Sequence, residues 1–152
     1  YSEKRLGETD SVHVEHFDPR IKEQPEDGYW NWYASDDWIN EHKPKKIEPF
    51  LPILLPHSPE RSERIVFFNN KFHPKNPNDV EAQNLIDFLI VNKNELVVER
   101  SKYVKRLESL QKKGIDLWDY LQESTTDLYF LTAIEEKFGL DFYSLLSKLI
   151  LR

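Results

Sequence analysis

Apolar positions along this chain follow two different periods. Val12 and Val14 alternate with Ser11, His13 and Glu15, a period of two that predicts a short strand. Phe17 to Gly28 holds Pro19, Pro25 and the pair Asp27-Gly28 among many charges, which reads as a loop. Tyr29 to Asn40, dense in Trp and Tyr, predicts a helix, and Pro44 disfavours its continuation. Glu48 to Pro59 sets Phe50, Leu51, Ile53, Leu54 and Leu55 among four prolines, an extended apolar connector expected to pack over a core. Arg64 to Asn69 reads as a strand, with Asn69-Asn70 turning into another around Lys71 to His73.

From Asn78 onward the period lengthens to that of helices. Val80, Leu85, Phe88 and Leu89 mark one face of a helix capped by Asn78, with Asp79 and Glu81 in its first turn. Asn92 to Asn94 breaks it, and a charged helix is expected from about Glu95 to Lys113, ended by Gly114. Leu117 to Ile134 predicts a further helix or a broken pair, and Phe142 to Leu151 a last amphipathic helix after Gly139. The expected organisation is α+β: a mixed module over residues 1–75, then a helical module over 76–152 with helices to spare for docking a partner.

Composition narrows the function. Of 152 residues, 39% are hydrophobic and 32% charged, which suits a folded domain rather than a disordered one. No apolar run is long enough for a membrane span and no signal-peptide pattern opens the chain, so no membrane association and a cytoplasmic location are expected. Without cysteine there is no disulfide, thiolate zinc site or cysteine nucleophile in this span. The absence of Met as well suggests a start inside a longer product. A net charge of −6 argues against coating nucleic acid by bulk electrostatics, yet a metal and a few local cations can dominate a cleft.

Candidate chemistry gathers at the end of the first strand. Phosphodiester hydrolysis needs a base for water and positive charge for the anionic transition state. A neutral imidazole suits the first task, and carboxylate or amide oxygens suit a hard cation such as Mg²⁺. His16, Glu15 and Asn40 supply these groups. Neighbours in a strand point to opposite faces, so Glu15 and His16 serve one site only if the strand ends or twists there. Asn31 and Asn40 stand about two and a half helical turns apart, so in one helix only one of them could reach a cation. Asp36 and His42 are rival ligands, and Asn40 could instead cap the helix. His13 is expected to pack or to support the ligands. Arg20, Lys43 and Lys46 are candidate phosphate contacts, with Lys45 in the same basic run, whose plain alternative is a solvated helix end.

The ordered set Glu15-His16-Phe17, Pro19, Asn31, Asn40 and Lys43 resembles the HNH endonucleases, also called ββα-metal or His-Me finger nucleases. More narrowly it is similar to the HNH partner proteins of bacterial anti-phage systems such as Septu and some retrons. The resemblance covers Tyr1 to about Lys46. Pro52-Ile53-Leu54, Asn78 to Ala82, Val91 to Leu96 and Arg100 look like the subfamily's helical tail. It implies a small ββα-metal finger with His16 as general base, Glu15 and Asn40 as ligands of one Mg²⁺ or Mn²⁺, and Asn31 orienting the base loop. It also implies DNA or RNA as substrate and an ABC/SMC-like ATPase as partner.

Where many relatives carry paired cysteines around a structural zinc, this chain has Asp36 and Ile39. No structural zinc is therefore expected, and packing by Trp30, Trp32, Tyr33 and Trp38 is expected to hold the finger together. Stacking of exposed bases on these rings is the rival role. The same loss motivates an alternative function, a catalytically degenerate adaptor that binds nucleic acid or a partner protein. A small-molecule phosphodiesterase is the weaker third option.

Overall fold

Strand β1, Val12–His16, pairs antiparallel with β2, Trp32–Asp36, and helix α1, Asp37–His42, follows directly. The computed structural model describes Glu3, residues 12–124 and residues 128–141, with backbone alone for Val12 and Asp36. The expected helix from Tyr29 is corrected: Tyr29–Asn31 forms a single 3₁₀ turn, and only Asp37–His42 is α-helical. Its middle is a strand because Trp32 and Ala34 face outward while Tyr33 and Ser35 face inward, a period of two. Trp and Tyr favour strands once a partner such as β1 is available.

A second hairpin joins β3, Ile65–Phe68, to β4, Lys71–Pro74. At its turn Asn69 and Asn70 take φ of 54° and 61°, the left-handed pair that a two-residue hairpin loop requires and that Asn tolerates. One helical turn, α2, Arg61–Arg64, precedes it. The later helices are α3, Val80–Phe88, α4, Asn94–Lys112, α5, Leu117–Glu123, and α6, Leu131–Phe138. The expected cap Asn78 gives way to Asp79, whose carboxylate accepts from the Ala82 N–H at 3.1 Å. Gly114, at φ 82°, follows α4 as expected. Leu117 to Ile134 is the broken pair, and the helix expected over 142–151 lies outside the described residues.

The described residues form two compact units, one of residues 12–66 and 72–92, the other of residues 67–71, 93–124 and 128–141 with Glu3. In the first, Phe17, Ile47, Leu54, Ala82, Leu85, Ile86, Phe88, Leu89 and Val91 make a single core. Four of these, Ala82, Leu85, Ile86 and Phe88, come from α3, which the sequence reading assigned to the helical module. Each large buried apolar side chain contributes roughly 1.5–3 kcal/mol. The proline-rich connector packs as expected through Leu54, whose N–H donates to the Glu81 carbonyl at 3.1 Å. Arg64 ties the end of α2 to the start of α3 by a fork on Asp79 at 2.6 and 2.8 Å and a contact to Glu81 at 2.7 Å.

In the second unit α5 and α6 pack on α4 around Leu96, Tyr103, Val104, Leu107, Leu121 and Ile134. Arg100 is fully buried there, between the rings of Phe67 and Phe130, with Nη1 donating to the Asn70 carbonyl at 2.5 Å. Burial pushes its guanidinium down to about 10. Among the described residues, no helix is long and apolar enough to cross a membrane.

Candidate active site

His16 is the last residue of β1, where the chain leaves the sheet for the loop that starts at Phe17. That loop returns to the sheet at Asn31, and one side chain fastens its two ends. Asn31 is buried; its Oδ1 accepts the Asp18 N–H at 2.7 Å and its Nδ2 donates to the Asp18 carbonyl at 3.1 Å. The Asn31 carbonyl also accepts from the Phe17 N–H at 2.8 Å. Buried Phe17 packs edge-on against Tyr33 and Phe88, which anchors the residue next to His16.

The loop brings Asp27 to the imidazole, with Asp27 Oδ2 3.1 Å from His16 Nε2. Asp27 Oδ1 accepts from Asn31 Nδ2 at 3.0 Å and Trp32 Nε1 at 2.9 Å, while Oδ2 accepts from the Glu23 N–H at 3.1 Å. These donors, Asn31 foremost, hold its carboxyl below the usual range. An ionised carboxylate only accepts, so His16 must carry its proton on Nε2. In the neutral ring this leaves Nδ1 as the basic atom. Sequence reasoning missed Asp27 because Asp-Gly reads as a turn, and turn chemistry accounts for its presence without a second role.

Glu15 belongs to the other face of the ladder. Its Oε1 accepts from Lys43 Nζ at 2.6 Å, and the two side chains are 11% and 2% exposed. The Lys43 ammonium also lies over the Phe88 ring, 4.5 Å from its centre. Burial pushes it down from its ordinary range, with Glu15 opposing. The expectation of Lys43 as a phosphate contact is corrected in this conformation: its charge is spent inside the fold. Glu15 Oε2 is buried without a hydrogen-bond partner, an open position for a hard cation.

Asn40 lies within α1 rather than at its end, which corrects the capping alternative. The Lys43 N–H donates to the Ile39 carbonyl at 2.8 Å, so helical geometry persists and Asn40 shares a face with the lysine that reaches Glu15. The Asn40 carbonyl and Oδ1 draw Lys45 Nζ. Among the described residues, no hydrogen bond joins Glu15, His16 and Asn40, and no three His, Cys, Asp or Glu side chains form a metal cluster. Glu15 pairs with inward Tyr33 and His16 with outward Trp32, so the ladder does not bring Glu15 and His16 to one face; the unpaired Glu15 Oε2 is the atom whose chemistry suits a hard ion.

The remaining candidates are dispersed. His42 stacks on Trp38 at 4.4 Å and sets Nδ1 2.8 Å from that residue's carbonyl. The Asp36 backbone closes β2 opposite Val12. His13 pairs with Asp37 at 2.5 Å on the exposed surface. Arg20 forks onto Asp18 at 2.7 and 2.9 Å, and Lys46 is exposed. Of the four rings expected to hold the finger, Tyr33 packs against the core and Trp38 is partly buried, whereas Trp30 and Trp32 are corrected: both are exposed, and Phe17, Ile39 and Ile47 are buried instead. No protein-family profile, curated protein or solved structure matches this chain.

Proposed function

We propose that this chain is a metal-dependent endonuclease of the HNH type, with residues 12–43 as its ββα-metal finger. The observation that carries the reading is His16 at the end of β1, held at Nε2 by Asp27, in a loop that Asn31 fastens, ahead of β2 and α1. Chain order, the imidazole at the strand end and the fastening of its loop by Asn31 are what support the reading.

Glu15 and Asn40 are the residues that would hold one Mg²⁺ or Mn²⁺, Glu15 through its unpartnered oxygen. When bound, such an ion supplies positive charge to the crowded phosphoryl group and its leaving oxygen. His16 Nδ1 takes the proton from water as the new oxygen–phosphorus bond forms and the bond to the departing oxygen breaks. Asp27 holds the ring in the tautomer that leaves Nδ1 basic and stabilises the imidazolium that results. The fork on Asp18 keeps Arg20 beside the loop, its side chain partly exposed and available to phosphate.

DNA or RNA is the proposed substrate, and an ABC/SMC-like ATPase the proposed partner, as in the anti-phage systems the sequence resembles. Purified protein with Mg²⁺ or Mn²⁺ is to be offered plasmid, single-stranded DNA and tRNA, alone and with a cognate ATPase. Intact substrate in every arm would reject the reading. A second reading, the adaptor, is favoured by Lys43, because an ammonium already neutralises Glu15. Calorimetric titration with Mn²⁺ separates them: the nuclease binds the ion and Glu15→Ala abolishes binding, whereas the adaptor gives no heat in either protein.

A further inference from the structure

Tyr29, Trp30 and Trp32 present their rings to solvent, and Trp32 does so on the face of the hairpin that carries His16. Tyr29, Trp30 and Trp32 are 77%, 66% and 47% exposed, although such residues usually bury most of their surface. Trp32 stands opposite His16 in the ladder, so the two side chains share one face of the hairpin. Trp32 Nε1 donates to the carboxylate that holds His16 Nε2, which connects the ring directly to the proposed base. Trp30 meets Tyr29 edge-on at 5.3 Å and tilts over exposed His57 at 5.2 Å.

We infer that Tyr29, Trp30 and Trp32 form a stacking platform for the unpaired bases of single-stranded nucleic acid, delivering the adjoining phosphodiester to His16. This rests on the nuclease reading and names its substrate class. Indole and phenol faces stack on any base without sequence preference. In a duplex those faces are already covered by neighbouring base pairs, so duplex nucleic acid gains little here. One cation is tied to the same segment: Arg20 forks onto Asp18, whose backbone N–H donates to Asn31, the residue between the two tryptophans.

Charge alone does not account for affinity on this surface. The same loop carries exposed Glu23 and Glu26, and the chain has a net charge of −6. Ring stacking therefore supplies most of the binding, and the salt dependence is shallow compared with proteins that neutralise many phosphates.

The test is fluorescence anisotropy of a labelled dT₁₂ oligonucleotide and of a matched duplex, with the full chain in EDTA, at two salt concentrations. Wild type is compared with Tyr29→Ala and Trp30→Ala, whose exposed side chains leave the folded core untouched, circular dichroism checking each variant. Single strand is expected to bind more tightly than duplex. Each substitution should weaken single-strand binding about 5- to 150-fold, and binding should quench the tryptophan fluorescence. Equal affinity for both forms, or variants that bind like wild type, overturns the platform. Metal-dependent cleavage measured in parallel keeps the two ideas apart. Cleavage without ring-dependent binding sinks the platform alone, and ring-dependent binding without cleavage sinks the nuclease and leaves a single-strand adaptor.

Discussion

Replacing Lys43 by Met tests whether Glu15 is a charge kept for a cation. Met keeps an unbranched apolar side chain of similar length and deletes the ammonium, which lies 2.6 Å from Glu15 Oε1 and over the Phe88 ring. The glutamate, only 11% exposed, then has neither oxygen paired, since Oε2 lacks a partner already. Breaking a buried pair from one side costs roughly 3–5 kcal/mol. At about 2–4 °C per kcal/mol for a chain of this size, the melting temperature should fall by roughly 6–20 °C. Removing both charges, in Lys43→Met with Glu15→Gln, should recover most of that loss. Mn²⁺ gives the decisive arm: at a hundredfold excess over Kd it stabilises a binding-competent protein by about 2.7 kcal/mol. Thermal unfolding followed by circular dichroism, with and without Mn²⁺, reads four proteins: wild type, Lys43→Met, Glu15→Gln and the double variant. Mn²⁺ should raise the melting temperature of wild type and of Lys43→Met, and leave both Gln-containing variants unchanged. Strictly additive losses, or no response to Mn²⁺ in any protein, would refute the reasoning.

Three further outcomes are open to measurement. In Asp27→Asn the donors Asn31 Nδ2 and Trp32 Nε1 require the amide oxygen where Oδ1 now lies, which turns the NH₂ toward His16. The ring then accepts at Nε2 and carries its proton on Nδ1, so cleavage should fall about 10²- to 10⁴-fold, while metal binding by calorimetry is unchanged. Arg64 holds the Asp79 carboxyl down at about 2, against an ordinary 3.8. A depressed acid contributes stability that is complete above about pH 4 and is lost as pH falls toward 2; acid unfolding of Asp79→Asn should show a flatter limb in that window. Co-expression with a cognate ABC/SMC-like ATPase should give one peak in size-exclusion chromatography, and separate elution would refute the partnership.

Much of the fold is written in local pattern. Val12 and Val14 alternate strongly enough to mark β1, and Asn69-Asn70 marks a turn because few other residues tolerate two successive left-handed positions. Asp79 rather than Asn78 caps α3 because two adjacent cap-forming residues differ only in which one Arg64 and the first turn engage. β2 was not legible. Trp-Tyr-Ala-Ser suits either period, and only pairing with β1, sixteen or more residues away, selects the strand.

The candidate site divides the same way. His16, Asn31 and Glu15 can be found from residue type and order. Asp27 cannot, because its contact with His16 depends on how an eleven-residue separation folds back. The burial of Lys43 on Glu15 was equally hidden, since a lysine in a basic run after a helix reads as solvated until the core beneath it is known. Trp30 and Trp32 misled for a related reason: hydrophobic size suggests the interior, yet the interior was already filled by Phe17, Ile39 and Ile47.

The most direct measurement is single-turnover cleavage of a labelled single strand in Mn²⁺ by wild type and His16→Ala, each with the cognate ATPase. Wild type should cut, and the variant should be slower by about 10²-fold or more while binding Mn²⁺ equally well. Cleavage at the same rate by both proteins would show that the imidazole at the end of β1 is not the base.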